Sequence, residues 1–253
     1  MHPCPNCGNQ NPESAAFCSQ CGTKLLGKPQ PRAATVYLQP EAAEQQHRMV
    51  VVRPGGADGV SFAVPPGKSA IGRGEVQIRL DDPYLSPRHA ELSLHGGQLS
   101  IADLQSSNGV YLRLRAETPL TVGDELRLGR QLLRIEPVAE TQFAPDSGRI
   151  WGSPDRGARY RVTQLLEGSG VGEALPISEG EYLFGREEGG MIFPADQSLS
   201  RRHAVLSVTR EGIRVRDLES ANGTFLRLRQ ETVLTPGDHL LLGTQQLRYE
   251  LGP

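Results

Sequence analysis

The sequence predicts an all-β chain, two antiparallel β-sandwiches behind a small cysteine-rich segment, and three observations predict it. A motif-bearing stretch of the chain occurs twice, at an offset of 114 residues (Ser86 to Ser200, Asn108 to Asn222). Within each copy the apolar residues alternate with polar ones over short runs bounded by turn residues, the pattern of half-buried strands, and no long helical period appears. All four cysteines lie in the first 21 residues. Composition agrees: 37% hydrophobic residues with 29 Gly and 19 Pro suit short strands and many turns, and 253 residues suffice for two domains that each bury a core.

The cysteines form two Cys-x-x-Cys pairs, Cys4-Pro-Asn-Cys7 and Cys18-Ser-Gln-Cys21, each followed by glycine, which admits the positive φ that such a knuckle needs. Four thiolates close a tetrahedral site and leave no open position, so the expected ion is one structural Zn2+ held by Cys4, Cys7, Cys18 and Cys21. The ten-residue gap between the pairs is shorter than the commonest spacing, yet it resembles the compact zinc ribbons at the ends of many bacterial proteins. Two disulfides are the plainer alternative, opposed by a reducing compartment, and a redox dithiol needs a βαβ context that is absent here. Residues 1–25 are read as this ribbon. Lys24, Lys28 and Arg32 are too few to make a phosphate-binding surface, so nucleic acid is not an expected partner.

Residues 26–46 turn to Pro, Ala, Gln and Glu without apolar period and read as a flexible linker. Arg32 stands three residues before Thr35, which resembles a basophilic kinase site; an unmodified linker threonine is the alternative. Beyond the linker the strand signals are repeated. Ala90, Leu92 and Leu94, a Gly96-Gly97 turn, then Leu99 and Ile101 predict a hairpin, and Ala204, Leu206 and Val208, a turn at Glu211-Gly212, then Ile213 and Val215 predict its counterpart. Thr121-Val-Gly-Asp124 and Thr235-Pro-Gly-Asp238 mark turns before the final strands.

The recurring residues are Gly72-Arg73, Ser86-Pro-Arg-His89 and Asn108-Gly109, matched by Gly185-Arg186, Ser200-Arg-Arg-His203 and Asn222-Gly223. In order and spacing they resemble the forkhead-associated (FHA) family, over residues 47–138 and again over 158–253, with a linker at 139–157. The resemblance implies FHA-type sandwiches that carry binding loops at one end and read phosphothreonine in partner proteins. By the same resemblance Asn108 and Asn222 grip the ligand's main chain, and His89 and His203 are structural.

The residue chemistry suits that task. A phosphothreonine carries roughly two negative charges and three strong acceptor oxygens. Arg73 and Arg186 offer a planar fork of N–H donors, and Ser86 and Ser200 offer hydroxyls. The copies differ. Pro87 in the first corresponds to Arg201 in the second, an added cation, whereas Ser107 in the first corresponds to Ala221, a lost hydroxyl. Since charge-assisted bonds outweigh neutral ones, the second copy is expected to bind more tightly.

Other classes are less well supported. Neither serine sits in a Gly-x-Ser-x-Gly elbow, and no phosphate-binding glycine-lysine loop or kinase signature is present, so no enzyme is expected. A net charge of −2 gives no general pull toward nucleic acid or anionic membrane, no stretch is long and apolar enough to span a bilayer, and the start of the chain does not resemble a secretory signal, which reads as cytoplasmic. The expected function is a non-enzymatic adaptor whose partners are phosphothreonine-containing proteins, Ser/Thr kinases or their substrates. The rival is a phosphate-independent scaffold that binds unmodified protein or nucleic acid through the ribbon or the sandwich surfaces.

Overall fold

The computed structural model describes residues 1–25, 46–138, 152–153 and 157–252, and the chain divides into two compact units, Met1–Glu44 and Gln45–Pro253. Thr35 and most of both expected linkers lie outside the described residues. The first unit contains a two-stranded hairpin, β1 (His2–Pro3) and β2 (Gln10–Asn11), and a bridge between Phe17 and Lys24. Among the described residues its buried apolar cluster is Cys4, Cys18 and Leu25, with Ala15 packed against it. So small a core cannot by itself offset the entropy of ordering the segment, the situation in which small cysteine-rich units fold around a metal.

Among the described residues the second unit has twenty strands. The first repeat contributes β3 (Gln46–Val52), β4 (Asp58–Ala63), β5 (Gly67–Gly72), β6 (Ile78–Arg79), β7 (Ala90–His95), β8 (Gln98–Asp103), β9 (Val110–Arg113), β10 (Thr118–Leu120), β11 (Glu125–Leu128) and β12 (Gln131–Pro137). The second contributes β13 (Tyr160–Leu165), β14 (Val171–Ile177), β15 (Gly180–Gly185), β16 (Met191–Ile192), β17 (Ala204–Thr209), β18 (Gly212–Asp217), β19 (Thr224–Arg227), β20 (Thr232–Leu234), β21 (His239–Leu242) and β22 (Gln245–Gly252). The expected hairpins form where the alternation places them. β7 and β8 turn through Gly96 and Gly97, both at positive φ (58° and 78°), as a two-residue turn requires. Asp124 and Asp238 close the later turns by accepting from the backbone N–H and hydroxyl of Thr121 and Thr235.

The partition into contiguous sandwiches at 47–138 and 158–253 does not match the packing. The larger sheet runs β14-β13-β12-β11-β19-β9-β21-β22-β3-β4, and two five-stranded sheets accompany it, β20-β8-β7-β5-β6 and β10-β18-β17-β15-β16. The repeats have exchanged their last three strands. One core joins Met49, Ile71, Leu92 and Ile101 of the first repeat to Leu234, Leu240, Leu242, Leu247 and Tyr249 of the second. The other joins Leu120, Leu126, Leu128, Leu133 and Ile135 of the first to Val162, Phe184, Leu206 and Val215 of the second. The halves meet where β9 pairs with β19 around Leu112 and Leu226. β12 and β13, the strands on either side of the expected linker 139–157, pair with each other in one sandwich.

Local chemistry explains the crossing. After β9 the chain continues through Leu114-Arg-Ala-Glu117, and after β19 through Leu228-Arg-Gln-Glu231, with no Gly, Pro, Asn or Asp to turn either segment back. Leu114 therefore packs against the far core and Leu228 against the near one. Arg115 and Arg229 fasten the crossings by ion pairs to Asp238 and Asp124, each at 2.9 Å. Side-chain complementarity selects the same pairing. Buried His47 shares a 2.7 Å hydrogen bond with the hydroxyl of Tyr249, and their rings stack at 5.8 Å. The strand registers give Tyr160 and Ile135 as the corresponding pair in the other sandwich. Without exchange, His47 would face Ile135 and lose its partner, a loss that costs about 1–3 kcal/mol for a buried polar group.

Candidate functional site

In the first sandwich, the loops that follow β5, precede β7 and follow β8 converge. The Arg73 N–H donates to Ser86 O at 3.2 Å, and Arg73 Nε donates to Leu85 O at 2.7 Å. The Ser86 hydroxyl oxygen accepts from the Ser107 N–H at 3.2 Å, which leaves its own hydrogen free to donate outward. Asn108 donates one amide hydrogen to Tyr84 O at 2.7 Å, so its carbonyl and second hydrogen stay available. Arg73, Ser86, Ser107 and Asn108 are thus joined through the 84–86 segment. Among the described residues, no acceptor is paired with either terminal nitrogen of Arg73, and that side chain is exposed.

His89 is fully buried and does not reach the surface: its Nδ1 accepts from the Ser86 N–H at 3.1 Å and its Nε2 donates to Gly109 O at 3.0 Å. His203 repeats both bonds, to Ser200 at 3.2 Å and Gly223 at 3.1 Å. Burial pushes the His203 pKa down and keeps the ring neutral, the form in which one nitrogen accepts while the other donates. Each histidine therefore ties the serine loop to the asparagine loop. The asparagine loops are further shaped by Gln105 and Glu219, which hold positive φ of 54° and 55° without being glycine, a strained conformation of the kind that clusters at functional loops.

The second sandwich keeps the framework and alters the charge. The Arg186 N–H donates to Ser200 O at 2.9 Å, Ser200 Oγ accepts from the Ala221 N–H at 3.2 Å, and Asn222 donates to Ser198 O at 2.8 Å. The guanidinium of Arg186, however, bonds to Gln197 at 3.1 Å and pairs with Glu187 at 2.9 Å. Arg201, the added cation, pairs with Glu187 at 2.8 Å and Glu188 at 3.3 Å. Two carboxylates thus already occupy the donors that a phosphate would take. The signal was legible in the sequence, as Glu187-Glu188 where the first copy has Gly74-Glu75.

Strand exchange makes both sites composite. Asp82, below the first site, accepts from the N–H and hydroxyl of Thr244, both at 2.7 Å, and from the Tyr84 N–H at 2.8 Å. Burial opposes its charge, but these bonds prevail and hold the carboxyl below its usual range. Asp196, below the second site, accepts from the Arg130 N–H at 2.8 Å and from Gln131 at 2.7 Å. Each serine loop is therefore braced by the final hairpin of the other repeat. Gly109 and Gly223 lie against the guanidinium groups of Arg227 and Arg113, so a side chain at either glycine would collide with an arginine of the opposite repeat. The Asp196 and Asp82 braces link residues 65 to 162 positions apart and had no local signal.

The four cysteine sulfurs of the first unit lie within 4.8 Å of one another, with Cys4–Cys21 and Cys7–Cys18 at 3.6 Å. Tetrahedral Zn–S bonds of about 2.3 Å place sulfurs roughly 3.8 Å apart, so the residues fit the ion. Backbone N–H groups of Asn6 and Gln20 point at Cys4 and Cys18 at 3.4 and 3.5 Å, and buried Asn11 donates to Cys18 at 3.6 Å. Such outer bonds orient and stabilise thiolate ligands. Gly8 and Gly22 take φ of 77° and 72° behind the knuckles, as their positions require.

Three stretches of the chain resemble known families. The zinc-ribbon domain model matches residues 4–25, the FHA domain model matches 70–129, and the model described as the inner membrane component of T3SS, cytoplasmic domain, matches 164–250. The FHA domain-containing protein FhaB of Mycobacterium tuberculosis is 33% identical over 102 residues, covering 38% of this chain and 66% of that protein. The glycogen accumulation regulator GarA of Mycolicibacterium smegmatis is 34% identical over 85 residues, covering 32% of this chain and 54% of that protein. The oxoglutarate dehydrogenase inhibitor of Corynebacterium diphtheriae is 36% identical over 92 residues, covering 35% and 64%. The chain spans 54% to 66% of the length of these relatives. Among solved structures, one from a study of phosphothreonine-dependent FHA domain interactions aligns at TM-score 0.33 and 14% identity, over 82% of this chain and 98% of that one. The FhaA FHA domain in complex with the intracellular domain of Rv3910 aligns at 0.31 and 14%, over 81% and 99%. The chain is thus similar to a zinc ribbon over residues 4–25 and to FHA domains over 70–129, and its second repeat, which carries the same motif residues, is matched by an FHA-like model over 164–250.

Proposed function

We infer that this chain is a phosphothreonine-dependent protein-binding adaptor of Ser/Thr kinase signalling. The observation that carries the reading is the first site, where the unpaired guanidinium fork of Arg73, the outward hydroxyl of Ser86 and the half-used amide of Asn108 stand on one loop framework. Such a set binds a dianionic phosphate by charge-assisted bonds and the adjoining peptide by amide bonds. Ser107 adds a second hydroxyl beside it. At the second site Arg186, Ser200, Arg201 and Asn222 take the corresponding roles once phosphate displaces Glu187 and Glu188. The partners are phosphothreonine-bearing kinases or kinase substrates, met in the cytoplasm, and the chain acts on them by binding, not by turnover. Among the described residues, no helix is long and apolar enough to cross a membrane.

The ribbon holds one structural zinc ion through Cys4, Cys7, Cys18 and Cys21, and metal analysis of the purified chain is expected to return one zinc per molecule. The acid pair over Arg186 favours a second reading for that sandwich alone, contact with unmodified protein. The deciding experiment is binding to a degenerate phosphothreonine peptide library, with unphosphorylated peptides as control. Binding that needs phosphate and collapses in Arg73→Ala supports the adaptor, whereas binding indifferent to phosphate transfers the function to the scaffold.

A further inference from the structure

The exchange of strands fixes the two sites on one body. β9 and β19 are adjacent antiparallel strands with Leu112 opposite Leu226, and equivalent strands flank them in order, β21 beside β9 and β11 beside β19. The pairing is that of a local two-fold axis passing between the two leucines. Asn108 precedes Leu112 by four residues and Asn222 precedes Leu226 by four, so the two asparagines lie at opposite ends of the paired strands. At about 3.3 Å per residue and roughly 4.8 Å between strands, the sites are about 25 Å apart. Independent domains on a flexible tether would leave this separation and orientation open, but a shared sheet with mutual loop braces does not.

We propose that the two sites together recognise a partner that presents two phosphothreonine segments in two-fold relation, as a phosphorylated homodimer does. The proposal rests on the phosphothreonine reading of each site and adds the geometry of their joint use. A symmetric partner places two identical segments antiparallel, the relation in which the sites stand. Two phosphothreonines in tandem on one extended strand run in the same direction and do not satisfy it. The charge difference between the sites gives the division of labour. The first site, with its free arginine, captures one segment. The second, whose arginines must first leave Glu187 and Glu188, fills only when tethering raises the local concentration of the other segment.

The test uses the full zinc-loaded chain and three probes: a phosphothreonine peptide selected from the degenerate library, two copies of it joined C-terminus to C-terminus by poly(ethylene glycol) of graded length, and two copies joined head to tail. The symmetric dimer is expected to bind with about 10²- to 10⁴-fold higher affinity than the single peptide, at one dimer per chain, once the linker spans about 25 Å. That gain should vanish when Arg186, Ser200 and Asn222 are all replaced by alanine, the dimer's affinity should fall about 10- to 100-fold in Arg73→Ala, and the head-to-tail probe should need a longer linker to approach the gain. Single-peptide binding without gain at any linker length, or a dimer that bridges two protein chains, overturns the proposal and leaves the phosphothreonine reading standing. Absence of phosphate-dependent binding by the single peptide overturns both.

Discussion

The two binding ends share a scaffold and differ in electrostatics. Both keep the serine that accepts from the asparagine loop, the asparagine that braces the segment before the serine, and the buried histidine that joins them. Yet Arg73 presents open donors, whereas Arg186 and Arg201 are held by Glu187 and Glu188. Motif residues therefore establish that a site can form, while the neighbours of its cation establish whether it is empty of competing charge. Against the expectation, drawn from Arg201, that the second copy binds more tightly, we propose the opposite ranking on the strength of these ion pairs. A cation already neutralised by exposed carboxylates has less to offer an incoming phosphate than a bare one.

The most severe way to break the comparison is to cut the chain. Residues 114–227 contain all the strands of the second sandwich, whereas 158–253 contain strands of both. Fragment 114–227 is expected to melt cooperatively as a monomer; if 158–253 alone does so and 114–227 does not, the exchanged pairing is wrong. Arg73→Ala should weaken phosphopeptide binding by about 10- to 100-fold, the worth of a charge-assisted bond, while Arg186→Ala costs less than about fivefold because its charge is already paired on the surface. Calorimetry with one phosphopeptide separates the two, and equal losses would erase the asymmetry. Tyr249→Phe leaves buried His47 without its partner and should cost about 1–3 kcal/mol in urea unfolding. Tyr160→Phe, at the place equivalent to His47, should cost less, since no bond of its hydroxyl to Ile135 is possible.

Smaller effects sharpen the picture. Thr224 donates to Asp217 at 2.6 Å, and the first repeat has Val110 at that place. Thr224→Val should therefore cost about 1 kcal/mol. Burial opposes the Asp217 charge, but the bonds from Thr224 and Ser220 outweigh it and hold its pKa down. A carboxyl with a depressed folded pKa stabilises above its unfolded pKa of about 3.9 and ceases to do so as pH falls through the folded value. The difference between wild type and Thr224→Val should accordingly shrink in acid. The smallest change expected is a gain: Glu187→Gln frees Arg186 and should tighten the second site by about two- to fivefold, the scale of an exposed ion pair. No change in titration with the same peptide would show that the acid pair does not compete with phosphate.

Much of this molecule was legible before any coordinates. The hairpins at 90–101 and 204–215 follow from alternation and turn glycine, and the cysteine knuckles follow from spacing. The candidate site residues follow from a repeated motif, because each lies near its partners in the chain and its chemistry is carried by its own side chain. The acid pair at 187 and 188 was written in the sequence but meaningless without knowing that Arg186 and Arg201 both reach it.

What tertiary structure alone decided is which strands belong together. The two repeats have the same period and nearly the same leucines, so β11 and β21 fit either core by pattern, and a pattern that fits twice cannot choose. The choice falls to two turnless crossings, at 114–117 and 228–231, and to pairs distant in the chain, His47 with Tyr249 and Asp82 with Thr244. A sequence determines locally what a residue can do. Only packing determines which of two equivalent partners it meets, because burial and hydrogen-bond satisfaction are settled between surfaces brought together by the whole chain.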